Sequence, residues 1–184
     1  MHGGPAGILE SYVRRRVLRE RATSVAPRLS VELLAGRMLR DGFPVRLSDK
    51  ELELVALLGS AHTPLSRDRI GEALWDHLDP EEWANNLKVT LSRLRAKLAM
   101  RDAVLLVDGR YRLSPVIDVD VRRAESALRD SVGKRLDDVK RAELAEIVDA
   151  SRSGAFGRYD RSAWAQPLLT RIEDLFCRAG VLLA

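Results

Sequence analysis

Trp83-Ala84-Asn85-Asn86-Leu87-Lys88-Val89-Thr90-Leu91-Ser92-Arg93-Leu94-Arg95-Ala96-Lys97-Leu98 is the stretch whose reading decides what this chain is. At about 100° per residue, Trp83, Leu87, Leu91, Leu94 and Leu98 fall on one helical stripe and are expected to bury. Opposite them lie Asn85, Val89, Ser92, Arg93 and Ala96, with Lys88 and Arg95 on one flank and Asn86, Thr90 and Lys97 on the other. From 85 to 97 there are four basic residues and no acid, whereas an ordinary exposed helix mixes signs. Arg and Lys suit guanine edges and phosphates, Asn suits adenine, and small apolar groups suit a thymine methyl. An amphipathic helix with a solvated basic face would show the same stripe, so the flanking segments must decide between the two.

Just upstream, Asp79-Pro80-Glu81-Glu82 supplies an N-cap, a proline at the first helical position and early acids, which predicts a helix over 80–98. Ser48-Asp49-Lys50-Glu51 has capping-box spacing and opens a helix expected to run to about Leu58 and end at Gly59. After a loop holding Pro64, Ser66 caps a second helix carrying Ile70, Leu74 and Trp75. Before these, Leu29, Val31 and Leu33 alternate with polar residues, and Phe43, Val45 and Leu47 do so after Asp41-Gly42. Two or three short antiparallel strands are expected between 29 and 47.

Downstream, Val104-Leu105-Leu106-Val107-Asp108-Gly109-Arg110-Tyr111-Arg112-Leu113 is a hairpin signal, because Asp-Gly turns need positive φ. A two-residue turn pairs Leu106 with Tyr111 and Val104 with Leu113, and sets Arg110 beside the tip. Strands, three helices and a hairpin, in that order, make an α+β winged helix-turn-helix with N-terminal antiparallel strands and a C-terminal hairpin wing. The third helix would then enter the major groove and the wing near 108–110 the adjacent groove.

The rest of the chain reads as helical. Residues 8–22, with Leu9, Val13 and Val17 every four positions among arginines, predict a leading helix, and Thr23 to Arg28 a linker. Asp120 is expected to cap a helix over 121–129, and two more follow near 138–151 and 164–183. The last places Trp164, Leu168, Ile172, Phe176 and Ala179 on one stripe. That stripe needs a neighbour: the winged helix, a second copy, or further residues. Cys177, beside it, is expected to be an inert packed thiol.

Composition narrows the class. Lys plus Arg number 31 against 27 acids, a net +4 that permits a nucleic-acid partner without establishing one. One cysteine excludes an intramolecular disulfide and a cysteine-cluster metal site, and His2, His62 and His77 are too scattered for zinc. No stretch approaches the ~20 apolar residues of a membrane span, and no apolar leader follows Met1, so a cytoplasmic protein without membrane contact is expected. A Gly-rich phosphate loop and a His paired with a nucleophile are both missing, so no catalytic residues, cofactor or metal are expected and the chain is not read as an enzyme.

Asp41-Gly42-Phe43-Pro44-Val45-Arg46-Leu47-Ser48, followed by Lys50-Glu51-Leu52-Glu53-Leu54, resembles the opening of OmpR/PhoB-type winged-helix effector domains. Glu72-Ala73-Leu74-Trp75, Asn85-Asn86-Leu87, Leu91-Ser92-Arg93-Leu94-Arg95 and Gly109-Arg110-Tyr111-Arg112-Leu113 continue that pattern. Asp118-Val119-Asp120-Val121, and Tyr159-Asp160 through Trp164, Pro167 and Arg171, are similar to the start of a bacterial transcriptional activation domain (BTAD), as in SARP-like regulators. The resemblance divides the chain into a leading helix and linker (1–28), a winged-helix DNA-binding domain (29–115) and a partial BTAD-like helical domain (116–184). It implies DNA contacts at Val89, Thr90, Ser92, Arg93 and Arg95, with Arg110 on the wing. Ser92 stands where PhoB-like members commonly carry a basic residue. The loop Trp75 to Glu82 corresponds to one that can touch RNA polymerase in the family, although Asp79 and Glu82 are also accounted for as caps. Tandem binding in the family implies a homodimer on repeated sites. A BTAD normally continues through more helices, so the chain is expected to be either a piece of a larger regulator, with further domains, or a short regulator without a receiver domain.

The expected interface is therefore Asn85, Asn86, Lys88, Val89, Thr90, Ser92, Arg93, Arg95, Lys97 and Arg110, facing double-stranded DNA as in a sequence-specific transcriptional regulator. The rival is a protein–protein adaptor that has kept the winged helix without DNA binding.

Overall fold

The computed structural model describes residues 28–131, 136–152, 159 and 162–183. The helix expected over 8–22 lies outside these residues. Three short strands open the described chain, β1 (Leu29–Glu32), β2 (Arg37–Arg40) and β3 (Phe43–Pro44). Helix α1 (Asp49–Ser60), strand β4 (Leu65–Ser66), α2 (Arg67–Leu74) and α3 (Pro80–Leu98) follow. The hairpin β5 (Val104–Val107) and β6 (Arg110–Leu113) leads to β7 (Asp118–Val119) and helices α4 (Asp120–Ser131), α5 (Asp138–Arg152) and α6 (Gln166–Leu183). This is an α+β winged helix with N-terminal strands, a hairpin wing and a C-terminal helical segment.

The two Asp-Gly turns form as their chemistry requires. Asp41 and Gly42 have φ of 53° and 85°, and Asp108 and Gly109 have 49° and 73°, the paired left-handed conformations of a tight hairpin. Phe43 nevertheless does not begin a long strand: β3 stops at Pro44, and Phe43 is 76% exposed.

Two sheets enclose α1. The first has the order β3-β2-β1-β7, the second β4-β6-β5. Leu65–Ser66, read from sequence as loop, adds to the wing by pairing Leu65 with Tyr111 and Ser66 with Arg110. β7, beyond the wing, joins β1 in parallel, Val31 opposite Val119. The central helix α1 buries Leu52, Leu54, Val55, Ala56, Leu57 and Leu58, apolar nearly all round because it is covered on every side.

Gly59 does not end α1 as expected. The helix continues to Ser60, with Gly59 buried against Leu33, Leu113 and Val119. The carbonyls left free at that end are taken by arginines from the C-terminal helices. Arg122 donates to Leu58 O (3.1 Å) and Ala61 O (2.8 Å), and Arg171 to Ser60 O (2.9 Å). Tertiary donors replace the local glycine stop. Arg171 also meets Glu125 at 2.9 Å.

Asp120 caps the start of α4 by accepting from Val121 N (2.8 Å), and also accepts from Leu33 N (2.9 Å) and Leu34 N (3.0 Å). One carboxylate thus ties the β1–β2 turn to α4. Burial pushes its pKa up, against the pull of those N–H groups and of Arg123. The apolar stripe of α6 buries Leu168, Ile172, Leu175 and Ala179, covered chiefly by α4 and α5 within the helical segment itself. Cys177, expected to pack, is exposed. Among the described residues no helix is long and apolar enough to cross a membrane.

Candidate nucleic-acid interface

Helix α3 begins and ends under local control. Asp79 Oδ1 accepts from Glu81 N and Glu82 N, both at 3.0 Å, and Pro80 sits in the first turn. Ala99, in the left-handed conformation with φ 50°, closes the other end. Trp83, Leu87, Leu91, Leu94 and Leu98 are all buried, each worth roughly 1.5–3 kcal/mol of apolar transfer, so the rotation of the helix about its axis is fixed. The Trp83 indole packs on Gly71 of α2, with the Arg67 guanidinium 5.5 Å from the ring centroid.

With the stripe anchored, Asn85, Lys88, Val89, Ser92, Arg93 and Ala96 face solvent, and Asn86 is half-buried. The C-terminal helices leave these side chains open. Arg110 is exposed beside the wing tip, where Leu106 and Val107 are exposed as well. Val104 pairs with Leu113 and Leu106 with Tyr111.

Three residues expected at the interface are engaged by partners within the fold: Thr90 is buried, Arg95 half-buried, and Lys97 exposed but ion-paired. Thr90 is buried and its hydroxyl donates to Asn86 O at 2.7 Å. It lies next to Trp83 on the helical wheel, at the margin of the buried stripe. Arg95 is half-buried, with Nη2 donating to Val104 O at 2.8 Å, which braces α3 against the wing. Lys97 Nζ reaches Glu51 Oε2 at 2.5 Å. Glu51 is buried, and its Oε2 also accepts from Ser48 N at 2.6 Å, completing the capping box of α1. Burial alone would push the Glu51 carboxyl up, but the Lys97 bond, the Ser48 backbone and hydroxyl donors and the Lys97 charge together hold it below the ordinary 4.5. All three sit on the flanks of the helical wheel, Thr90 at the edge of the buried stripe, and the carboxylate that holds Lys97 is 46 residues away on another helix. The outward surface that remains combines amides, a hydroxyl, a small apolar patch and three cations, Lys88, Arg93 and Arg110. It has donors for base edges and phosphates and no acid among them. Among the described residues no group of His, Cys, Asp and Glu could hold a metal.

Residues 42–113, from the β2–β3 turn through β6, match the family model described as transcriptional regulatory protein, C terminal. That family is one of DNA-binding transcriptional regulators and not a class of enzymes. Among solved structures the chain is similar to Mycobacterium tuberculosis EmbR, determined in complex with a low affinity phosphopeptide. The TM-score is 0.68 at 21% identity, over 84% of this chain and 44% of that one. At this identity the likeness is one of fold, and the chain spans less than half the length of EmbR. A comparison with curated proteins gives no match.

Proposed function

We propose that the chain is a sequence-specific, double-stranded DNA-binding transcriptional regulator. α3 enters the major groove and the wing near 108–110 meets the adjacent groove. The observation that carries this reading is the fixed rotation of α3, which buries five apolar residues and leaves Asn85, Lys88, Val89, Ser92 and Arg93 exposed on one side. The family match over the same segment supports it. Arg93 carries part of the base readout, while Lys88 and Arg110 bind phosphates. Asn86 lies at the edge of the contacted face, while Thr90, Arg95 and Lys97 position and brace the helix.

In the same reading, 1–28 lead into the winged-helix domain of 29–115, and 116–184 form a partial BTAD-like domain. The similarity to EmbR covers 84% of the chain, more than the residues 42–113 of the family match, and so supports a shared fold in part of the helical segment. Tandem sites would bring two copies together, and the loop before α3 would face RNA polymerase. The protein works in the cytoplasm.

The test is binding to duplexes selected from a random library, with a salt titration. The expected result is an enriched motif and an affinity that falls steeply with salt. Binding that selects no motif, or no salt-dependent binding, overturns the proposal, and the latter leaves the adaptor.

A further inference from the structure

A second basic surface continues from the last turn of α3 onto the first sheet. Arg40 at the end of β2, Arg46 just after β3 and Lys97 line one open concavity together with Asp41, Phe43 and Pro44. Arg40 Nη1 donates to the Lys97 carbonyl at 3.3 Å, which sets a guanidinium at the negative end of the α3 dipole. Arg93 and Lys97, four residues apart, share one side of α3. Arg93, Lys97, Arg40 and Arg46 therefore form a strip that leads from the helix to the sheet. Glu51 already balances the charge of Lys97. Arg40 and Arg46 are exposed and have no ion-pair partner among the described residues, so the excess charge rests on them. The acid of the hollow is Asp41, whose Oδ1 accepts from Arg28 N at 2.9 Å.

The two arginines are not buried, and the hollow is open, so it does not enclose a small anion. Its shape and charge suit a polymer that presents phosphates at regular intervals along an edge. We propose that Arg40 and Arg46 bind the phosphodiester backbone of duplex DNA beyond the groove occupied by α3, lengthening the contacted segment. This rests on the regulator reading above and adds to it a contact from the N-terminal sheet.

The test uses the full 184-residue chain and a duplex of about 30 base pairs, measured between about 50 and about 200 mM salt. Each neutralised phosphate contributes about −0.9 to the slope of log affinity against log salt. The Arg40→Ala/Arg46→Ala double variant is expected to flatten that slope by about 1.8, so the affinity ratio between the two salt concentrations shrinks about 12-fold. Asp41→Asn keeps a residue tolerant of the left-handed conformation and an oxygen acceptor for Arg28 N–H, and it is expected to tighten DNA binding. A purely structural role for this corner would not produce that gain, so this arm decides even if the double variant melts early. If the unaltered protein binds with a steep slope and both variants match it, the backbone contact is refuted while the regulator reading stands. If the unaltered protein shows no salt-dependent binding, both fail together.

Discussion

The indole of Trp83 occupies the space that a side chain at Gly71 would need: a Cβ built there falls onto Trp83 Cδ2, Cε2 and Cε3. In an ordinary helix interior, Gly→Ala stabilises by up to about 1 kcal/mol. Here the gain is reversed, because the indole is wedged between α2 and α3 and cannot retreat without moving α3. Gly71→Ala is expected to destabilise by about 1–3 kcal/mol, the usual range for overpacking. Urea unfolding with unchanged slope and a lower midpoint checks it; a higher midpoint contradicts the contact.

Arg93 and Lys88 are expected to behave differently on DNA. Arg93→Ala should cost about 1–3 kcal/mol on the selected site and relax the preference at one position. Lys88→Ala should weaken all sequences alike and reduce the salt slope by about 0.9. Competition binding against a panel of single-base variants separates the two, and unchanged affinity and preference in Arg93→Ala would refute its assigned role.

The Glu51–Lys97 pair makes stability depend on acid. The folded pKa of Glu51 lies below the ordinary 4.5, so its contribution is fully present above that value and is lost as pH falls through the folded one. Stability measured against pH should fall less steeply on the acid side for Glu51→Gln than for the unaltered protein. Lys97→Ala leaves a buried carboxylate short of a donor and should cost about 1–3 kcal/mol near neutral pH. Identical acid limbs for the two proteins would rule the pair out as a determinant.

Arg122 and Arg171 carry the terminal carbonyls of α1 to the C-terminal helices. Through these bonds the winged helix and the helical segment are expected to unfold in one transition. Arg122→Ala with Arg171→Ala should lower stability and split the thermal transition in two, the helical segment melting first. Calorimetry that still shows a single two-state peak would assign the coupling to apolar packing instead.

Local chemistry was legible from sequence, and partners far along the chain were not. The capping box at Ser48, the Asp79 cap, both Asp-Gly turns and the buried stripe of α3 each depend on residues within a turn or a hairpin. They appear where the spacing predicts them. Gly59 has the pattern of a helix stop, but the arginines that satisfy the end of α1 lie more than sixty positions away. Lys97 looked like a free cation for the same reason: its carboxylate is on another helix. Thr90 is a different case, a polar residue at the margin of an apolar stripe, where a hydroxyl bond to the preceding turn allows burial. For the interface, the wheel identified the outward set of α3, but the contribution of Arg40 and Arg46 depends on the sheet register.

The parallel pairing of β7 with β1 has a consequence for how the polypeptide matures. β1 is an inner strand, and its second edge stays unsatisfied until residue 119 has left the ribosome. A nascent chain, or a fragment trimmed just after Leu113, would carry a bare strand edge with open amides and carbonyls, the template on which stray chains aggregate. The two residues Asp118 and Val119 thus act as a selvedge for the β1 side of the sheet, although they lie outside the segment that matches the regulator family.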